Sequence, residues 1–376
     1  GNATNCDNSG EVNVTTNNSG KSSYVGGCFG NSPGAATIKD CDNSGKVALT
    51  AYTASKAYVA GVDANPASSA QNLINCHTSG EVTIAGTPSS NAYIAGVAAY
   101  SNIAVNLTNC SNSGTIYPVG NLNKNTYFGG IAGQIAKTAS VIDGCENTGL
   151  LNCGSADQTT VATIAVVGGI AATTIGTIKN SVNKGEIRFQ PNESNPNRTY
   201  LGGIIGANTT PAALENCRNE GPINIGQVSF SAYSYVGGIS GTVNMTGSVK
   251  NCSNVGNITS LATTDKDVSM QLYLGGLFGV AVADKTPCPS ITGCSVNCTV
   301  TTHANTAAYA GMVLGRNAYT TDWTLASDAD PVKIKGTLNG TDVSADNAAA
   351  LAFGSGNSLD QSGVHATVKA VYDASL

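Results

Sequence analysis

Asn5-Cys6-Asp7-Asn8-Ser9-Gly10 returns as Asp40-Cys41-Asp42-Asn43-Ser44-Gly45 and again as Asn109-Cys110-Ser111-Asn112-Ser113-Gly114. The pattern Asn-Cys-x-Asn-x-Gly places cysteines at positions 6, 41, 76, 110, 145, 217 and 252, with Ser181 in the slot between the fifth and sixth. A period near 35 residues kept over that distance is the mark of a solenoid. A second column keeps the same period: Tyr24-Val25-Gly26-Gly27, Tyr58-Val59-Ala60-Gly61, Tyr93-Ile94-Ala95-Gly96, Tyr127-Phe128-Gly129-Gly130, Tyr200-Leu201-Gly202-Gly203, Tyr235-Val236-Gly237-Gly238 and Tyr273-Leu274-Gly275-Gly276. Two independent registers sharing one period make chance repetition untenable.

Each unit reads as three short strands joined by corners. An apolar residue three places before the cysteine (Ile38, Leu73, Leu107, Ile142, Ile178, Leu214, Val249, Ile291) marks the first strand. The Asn-Cys-x-Asn-x-Gly segment turns the chain, because Asn and Gly tolerate a left-handed backbone. Its second asparagine (Asn8, Asn43, Asn112, Asn147, Asn183, Asn219, Asn254) is placed to hydrogen-bond from coil to coil. Alternating apolar pairs such as Val47 and Leu49, or Ile223 and Ile225, mark the second strand. The Tyr-x-Gly-Gly segment is the third, and its second glycine is followed through nine units from Gly27 to Gly311. With helical periodicity lacking, the chain is expected to be all-β. The expected architecture is a right-handed parallel β-helix of about nine coils over residues 1–321, followed by a C-terminal β cap over 322–376. The cap would contain Trp323, Val332–Leu338 and the segment from His365. Polar stretches of unequal length, such as Gly154 to Ala165 and Gln190 to Thr199, are expected to loop out from the coils.

Eight of the twelve cysteines (Cys6, Cys41, Cys76, Cys110, Cys145, Cys217, Cys252, Cys294) share one repeat position. Stacking at about 4.8 Å lies within disulfide reach, yet a column of identical side chains packs more simply as small buried hydrophobes, and Ser181 fills the slot without a partner. Free thiols are therefore expected there, with vertical disulfides as the alternative. Cys28, Cys153, Cys288 and Cys298 lie off the ladder, and a local disulfide among Cys288, Cys294 and Cys298 is open. They have no histidine beside them to suggest zinc.

The run Tyr-[apolar]-Gly-Gly-[apolar]-x-Gly, as in Tyr127-Phe128-Gly129-Gly130-Ile131-Ala132-Gly133, alternates with Asn-Cys-x-Asn-x-Gly. In this it resembles the GLUG-type repeats of bacterial surface proteins across roughly residues 1–315. The resemblance implies a pectin-lyase-like β-helix on a secreted or lipid-anchored, adhesin-like protein. Departures are Val166 for the tyrosine, Ser181 for the cysteine, and Tyr309, read as one place out of its column.

Only 11% of the 376 residues are charged and the net charge is -5, which offers nucleic acid no basic footprint. No apolar run reaches the membrane-spanning length of about eighteen residues, so membrane attachment is expected only through an anchor outside this sequence. The first residues already lie inside a repeat signature, and a removed upstream segment is expected. A monomer at the outer cell surface or outside the cell is the expectation.

Chemistry is thinly represented. Asp7 and Asp42 share a column that His77, Ser111, Val182 and Arg218 interrupt, and they read as solvated corner residues. His77, His303 and His365 are far apart, so no catalytic residues are assigned; no cofactor or metal is expected. The candidate ligand-binding residues are Tyr24, Tyr58, Tyr93, Tyr127, Tyr200, Tyr235 and Tyr273. Facing solvent, their rings would stack on sugars of a glycan or a host-surface partner. Packing inside the coil against the Gly-Gly bend is the expected arrangement, since aromatics usually serve the core. Adhesion is thus the first functional expectation, a polysaccharide lyase or glycoside hydrolase on the same scaffold the second, and a passive stalk the third.

Overall fold

The computed structural model describes residues 1–17, 20–34, 36–52, 54–68, 70–119, 122, 125–154, 164–190, 198–208, 213–227, 233–243, 247–262, 272–281, 290–303, 308–317, 323–354 and 366–376. Most of the expected loops, together with Cys288 and His365, lie outside these residues. One coil shows the path. The chain runs through Gln71–Ile74, turns, continues as His77–Thr78 and Val82–Gly86, crosses to Ala92–Ala95, bends at Gly96 and leaves through Ala98–Ser101. Equivalent strands of successive coils pair in parallel and in register, as Leu73 with Leu107 and Tyr58 with Tyr93. Nine strands stack in the sheet before the corner and nine in the tyrosine-bearing sheet, giving a parallel β-helix of about eight full turns.

Three strands per coil were expected, and the structure adds a fourth. Ala98–Ser101 and its equivalents, down to Leu314–Asn317, form a seven-stranded sheet directly after the Gly-Gly bend. Part of each repeat's surplus length is therefore spent on a strand and not on a loop. Beyond the ninth coil, Val332–Leu338 lies in register on Ser295–Thr301, Ala370–Tyr372 pairs with it in turn, and Phe353 bridges to Leu314. Among the described residues the only helix is Ala348–Leu351.

The corner depends on two asparagine columns with different tasks. The residue before the cysteine is left-handed in every coil, at φ 55° for Asn5, 52° for Asp40, 51° for Asn75, 53° for Asn216 and 62° for Gly293. Asn, Asp and Gly alone fill this slot, as the energetics of that region require. The second asparagine points into the coil and is fully buried from Asn112 to Asn254. Its amide donates upward to the next coil, Asn112 to Asn147 at 2.8 Å, Asn147 to Asn183 at 2.8 Å, Asn183 to Asn219 at 2.8 Å and Asn219 to Asn254 at 2.7 Å. The same Nδ2 also donates to the carbonyl two residues on, as Asn183 to Gly185 at 3.0 Å. Burying an amide is costly unless such partners are present. Thr78 breaks the row: its hydroxyl donates sideways to the Gly96 carbonyl at 2.6 Å, leaving Asn112 Oδ1 without a partner.

Opposite this ladder runs the column of second glycines. A Cβ on Gly203 would lie 2.0 Å from the Gly238 carbonyl oxygen and 2.3 Å from Asn219 Cγ. Gly96, Gly130, Gly169 and Gly238 meet the asparagine of the following coil in the same way. Two expectations are corrected in the ninth coil. Tyr309 pairs directly with Tyr273 and is in its column, and Gly311 aligns with the first glycine, so Met312 takes the second glycine's place. No asparagine faces that end of the stack, because Asn254 is followed by Val296 and then Ile334.

The described cysteines are all free. Ladder thiols donate to the carbonyl two residues back, Cys41 to Lys39 at 3.3 Å and Cys217 to Glu215 at 3.4 Å, and Ser181 repeats the contact at 2.8 Å. Ile38, Leu73, Leu107, Ile178 and Leu214 fill the centre with no exposed surface. Each such burial stabilises by roughly 1.5–3 kcal/mol. One ionisable group breaks this apolar column set. Asp63, aligned with Phe29 and Ala98, is fully buried and bonded to the Ser32 hydroxyl, the Gln71 amide at 3.5 Å and the Asn65 backbone N–H at 3.1 Å. Burial pushes its carboxyl up to about 7, against the bonds that favour the ionised form.

Gly203→Ala is expected to destabilise strongly, by several kcal/mol, through backbone displacement, whereas Cys110→Ser should cost little, as Ser181 shows. Equal melting temperatures for the two variants would contradict the Gly–Asn contact. Asp63 keeps its proton to about pH 7 in the folded chain but releases it near 3.8 when unfolded. Its contribution is therefore fully present below that lower value and is lost as pH rises through about 7. Asp63→Asn should flatten this part of the melting-temperature profile and raise stability at alkaline pH; identical profiles for the two proteins would refute it.

Candidate functional site

Alternation along the third strand decides which way the tyrosines face. In Ser23–Gly26 the valine is buried and the tyrosine exposed, and Val59, Ile94, Phe128, Val167, Leu201, Val236 and Leu274 all join the central core. Tyr58 and Tyr93 belong to a separate apolar cluster with Ala60, Ala64 and Ala99. The rings thus stand on the outer surface of the coil, contrary to the expected internal stack. The inward positions are already taken by branched residues one place along.

The rings form two stacks. Tyr24, Tyr58, Tyr93 and Tyr127 follow one another at centroid distances of 4.7, 5.0 and 4.9 Å, with interplanar angles of 6°, 5° and 9°. Tyr200, Tyr235, Tyr273 and Tyr309 follow at 5.4, 5.4 and 5.0 Å. Val166 stands between the stacks, paired with Tyr127 below and Tyr200 above. Registered parallel pairing imposes the spacing, so ring stacking follows from the backbone ladder.

The Gly-Gly bend turns the fourth strand so that its outer face meets the tyrosines, making a re-entrant corner along the rod. The residue seven places after each tyrosine forms the facing wall: Tyr100, Gln134, Thr173, Ala207, Thr242, Val280 and Arg316 are in one register column. The wall is tall at two levels. Tyr100 leans on Tyr58 and Tyr93 at 5.2 and 4.9 Å, and the Arg316 guanidinium lies 5.1 Å from the Tyr273 ring centre and 5.8 Å from that of Tyr233. Between them stand Thr173, Ala207 and Thr242, and there Tyr200 and Tyr235 are only half-buried, while Tyr58, Tyr93 and Tyr273 are at most 3% exposed. Among the described residues the groove is roofed over Tyr58 and Tyr93 and again over Tyr273, and is open between these levels and at Tyr24, which is 38% exposed.

Burial pushes the Tyr93 and Tyr235 phenols up to about 12, with neighbouring tyrosines adding to it, while the Asn91 amide, donating to Tyr93 at 3.0 Å, works the other way. Tyr58 and Tyr273 are raised further, again chiefly by burial. The Tyr58, Tyr93, Tyr235 and Tyr273 phenols are neutral at physiological pH, offering flat apolar faces with a hydroxyl at the edge.

A second concavity lies at the asparagine corner. Asp7, Asp42, His77 and Ser111, with Ser9, Ser44, Ser79 and Ser113, line a cleft of about 470 Å³ near the N-terminal end. His77 Nδ1 and the Ser111 hydroxyl are 2.7 Å apart. Among the described residues no ion pair joins His77 to Asp42, so this pair has no carboxylate orienting the imidazole in the manner of a hydrolytic triad. The same residues hold no group of three or more metal-ligating side chains.

No family model, curated protein or solved structure matches the chain. The arrangement of the groove is therefore read from its own residues.

Sequence reasoning gathered the seven tyrosines and missed Tyr100, Tyr233, Tyr309 and Arg316. Tyr309 lay 36 residues after Tyr273, a signal in plain view. Tyr100 and Arg316 share only their offset from a column tyrosine, which has meaning once the bend is known. Because folding holds the Tyr93 and Tyr235 phenols protonated, their contribution to stability is present below the ordinary value of 10 and is lost as pH rises through about 12. An alkaline absorbance titration should show a late-ionising set; ionisation of every tyrosine near the ordinary value in the folded protein would contradict the roofed groove.

Proposed function

We propose that the protein is a non-enzymatic, adhesin-like binding protein of the cell surface that takes glycan on its tyrosine face. The observation that carries this reading is the open middle of the groove, where Tyr200 and Tyr235 stand half-buried opposite Ala207 and Thr242. A planar phenol on a rigid sheet gives a sugar ring a flat apolar contact without ordering a flexible side chain, which keeps the entropic cost of binding low. Repetition along the rod supplies like contacts at neighbouring coils, suited to a polymer with a regular backbone. The repeat pattern, which resembles that of GLUG-type surface proteins, supports the extracellular setting and anchoring through sequence outside this chain. A host-surface protein carrying such glycans is the corresponding macromolecular partner, and the binding unit is a monomer.

The test is a glycan and matrix-protein array followed by calorimetry on the hits. Tyr200→Ala with Tyr235→Ala should weaken binding by about tenfold or more, the scale of a lost central contact, with little change in melting temperature because both rings face outward. A blank array from folded protein would favour a passive stalk. Release of reducing ends that disappears in His77→Ala would instead favour a hydrolase or lyase working from the asparagine-corner cleft.

A further inference from the structure

The sequence holds four arginines, and they divide into two kinds. Arg188 pairs with Glu186 at 2.9 Å and Arg218 with Glu220 at 2.7 Å. Among the described residues Arg198 and Arg316 have neither an acidic partner nor a hydrogen-bonding one, and both border the second tyrosine stack. Arg198 leads into Tyr200 from the same outer face, exposed and beside Tyr233 of the next coil. Arg316 reaches the same place from the facing wall, over Tyr233 and Tyr273. Both lie near enough to the Tyr235 phenol to favour its ionised form. The two guanidinium groups therefore converge on the open tyrosines from opposite sides, in a chain whose net charge is -5. A guanidinium held over a ring by cation–π attraction keeps N–H donors available for a two-point contact with an oxyanion.

We propose that the C-terminal half of the groove is an acidic-saccharide site: Tyr200 and Tyr235 receive the sugar faces, and Arg198 and Arg316 receive a carboxylate or sulfate carried on the ring. The proposal rests on the reading of the tyrosine face as a glycan surface and adds the charge of the ligand to it. The first stack has no arginine, and Lys56 holds the register position there that Arg198 holds in the second. There the wall residue is Tyr100, and Asn91 is the polar group bonded to the column. The pair of guanidinium groups, with the two-point contact each can make, is thus confined to one end of the groove.

Matched polymers separate charge from shape. Polygalacturonate is compared with its methyl ester, and dextran sulfate with dextran, by calorimetry on the full chain, on Arg198→Gln/Arg316→Gln and on Arg316→Lys. The acidic member of at least one pair should bind about tenfold or more tighter than its neutral partner, the scale of a charge-assisted hydrogen-bonded contact. The double variant should abolish that preference, Arg316→Lys should recover only part of it, and added salt should weaken it. The pair that responds identifies carboxylate or sulfate as the recognised group. Acidic and neutral polymers bound alike, or an acidic preference that survives the double variant, would overturn the proposal while leaving glycan binding in place. If none of the four polymers binds and the array of the preceding section is also blank, both readings fall together.

Discussion

The contact between the buried asparagine ladder and the glycine column opposite sets the cross-section of every coil. An amide placed inside must be hydrogen-bonded, and the only partners within reach are the amide of the next coil and the carbonyl two residues on. Those bonds fix the coil-to-coil distance at that corner. They also fill the space that a side chain on the facing strand would need, so Gly96, Gly130, Gly169, Gly203 and Gly238 cannot be replaced without moving backbone. Narrow at this point, the coil bends sharply there, and the strand after the bend is brought back across the outer face of the strand before it.

The groove is a by-product of this bend. Its floor is the tyrosine column, its wall the fourth strand, and its depth varies only through the residue seven places after each tyrosine. Because the backbone is the same in every coil, the chemistry facing the groove is changed one side chain at a time without disturbing the scaffold. Tyr100 and Arg316 occupy equivalent positions in one register column and give the two ends of the groove a different character.

Periodicity made the fold legible. The Asn-Cys-x-Asn-x-Gly and Tyr-x-Gly-Gly columns gave the coil, its strands and the free-thiol ladder, since each reflects a local demand: a left-handed corner, a small buried side chain, a close backbone approach. The facing of the tyrosines was not legible, because apolar residues occupy both alternate sets of that strand and nothing in spacing distinguishes core from groove. The fourth strand escaped notice for a related reason. Segments such as Ala98–Ser101 and Ala171–Thr174 are short and small, without an alternating signal. Arg316 and Tyr100 gain meaning only when the bend brings two outward faces together, and the burial of Asp63 follows from its alignment with Ala98, which no motif marks.

The amide, ring and thiol columns each have a gap, and the gaps fall in different coils. Thr78 interrupts the amides, Val166 the rings and Ser181 the thiols. A stack held by nearest-neighbour interfaces is only as strong as its weakest joint. Courses of brick are laid with staggered seams for the same reason: a crack that opens along one row meets an unbroken row beside it. The rod can therefore tolerate single gaps in the amide, ring and thiol columns, and gaps that would be severe if aligned at one level are borne when spread along the axis.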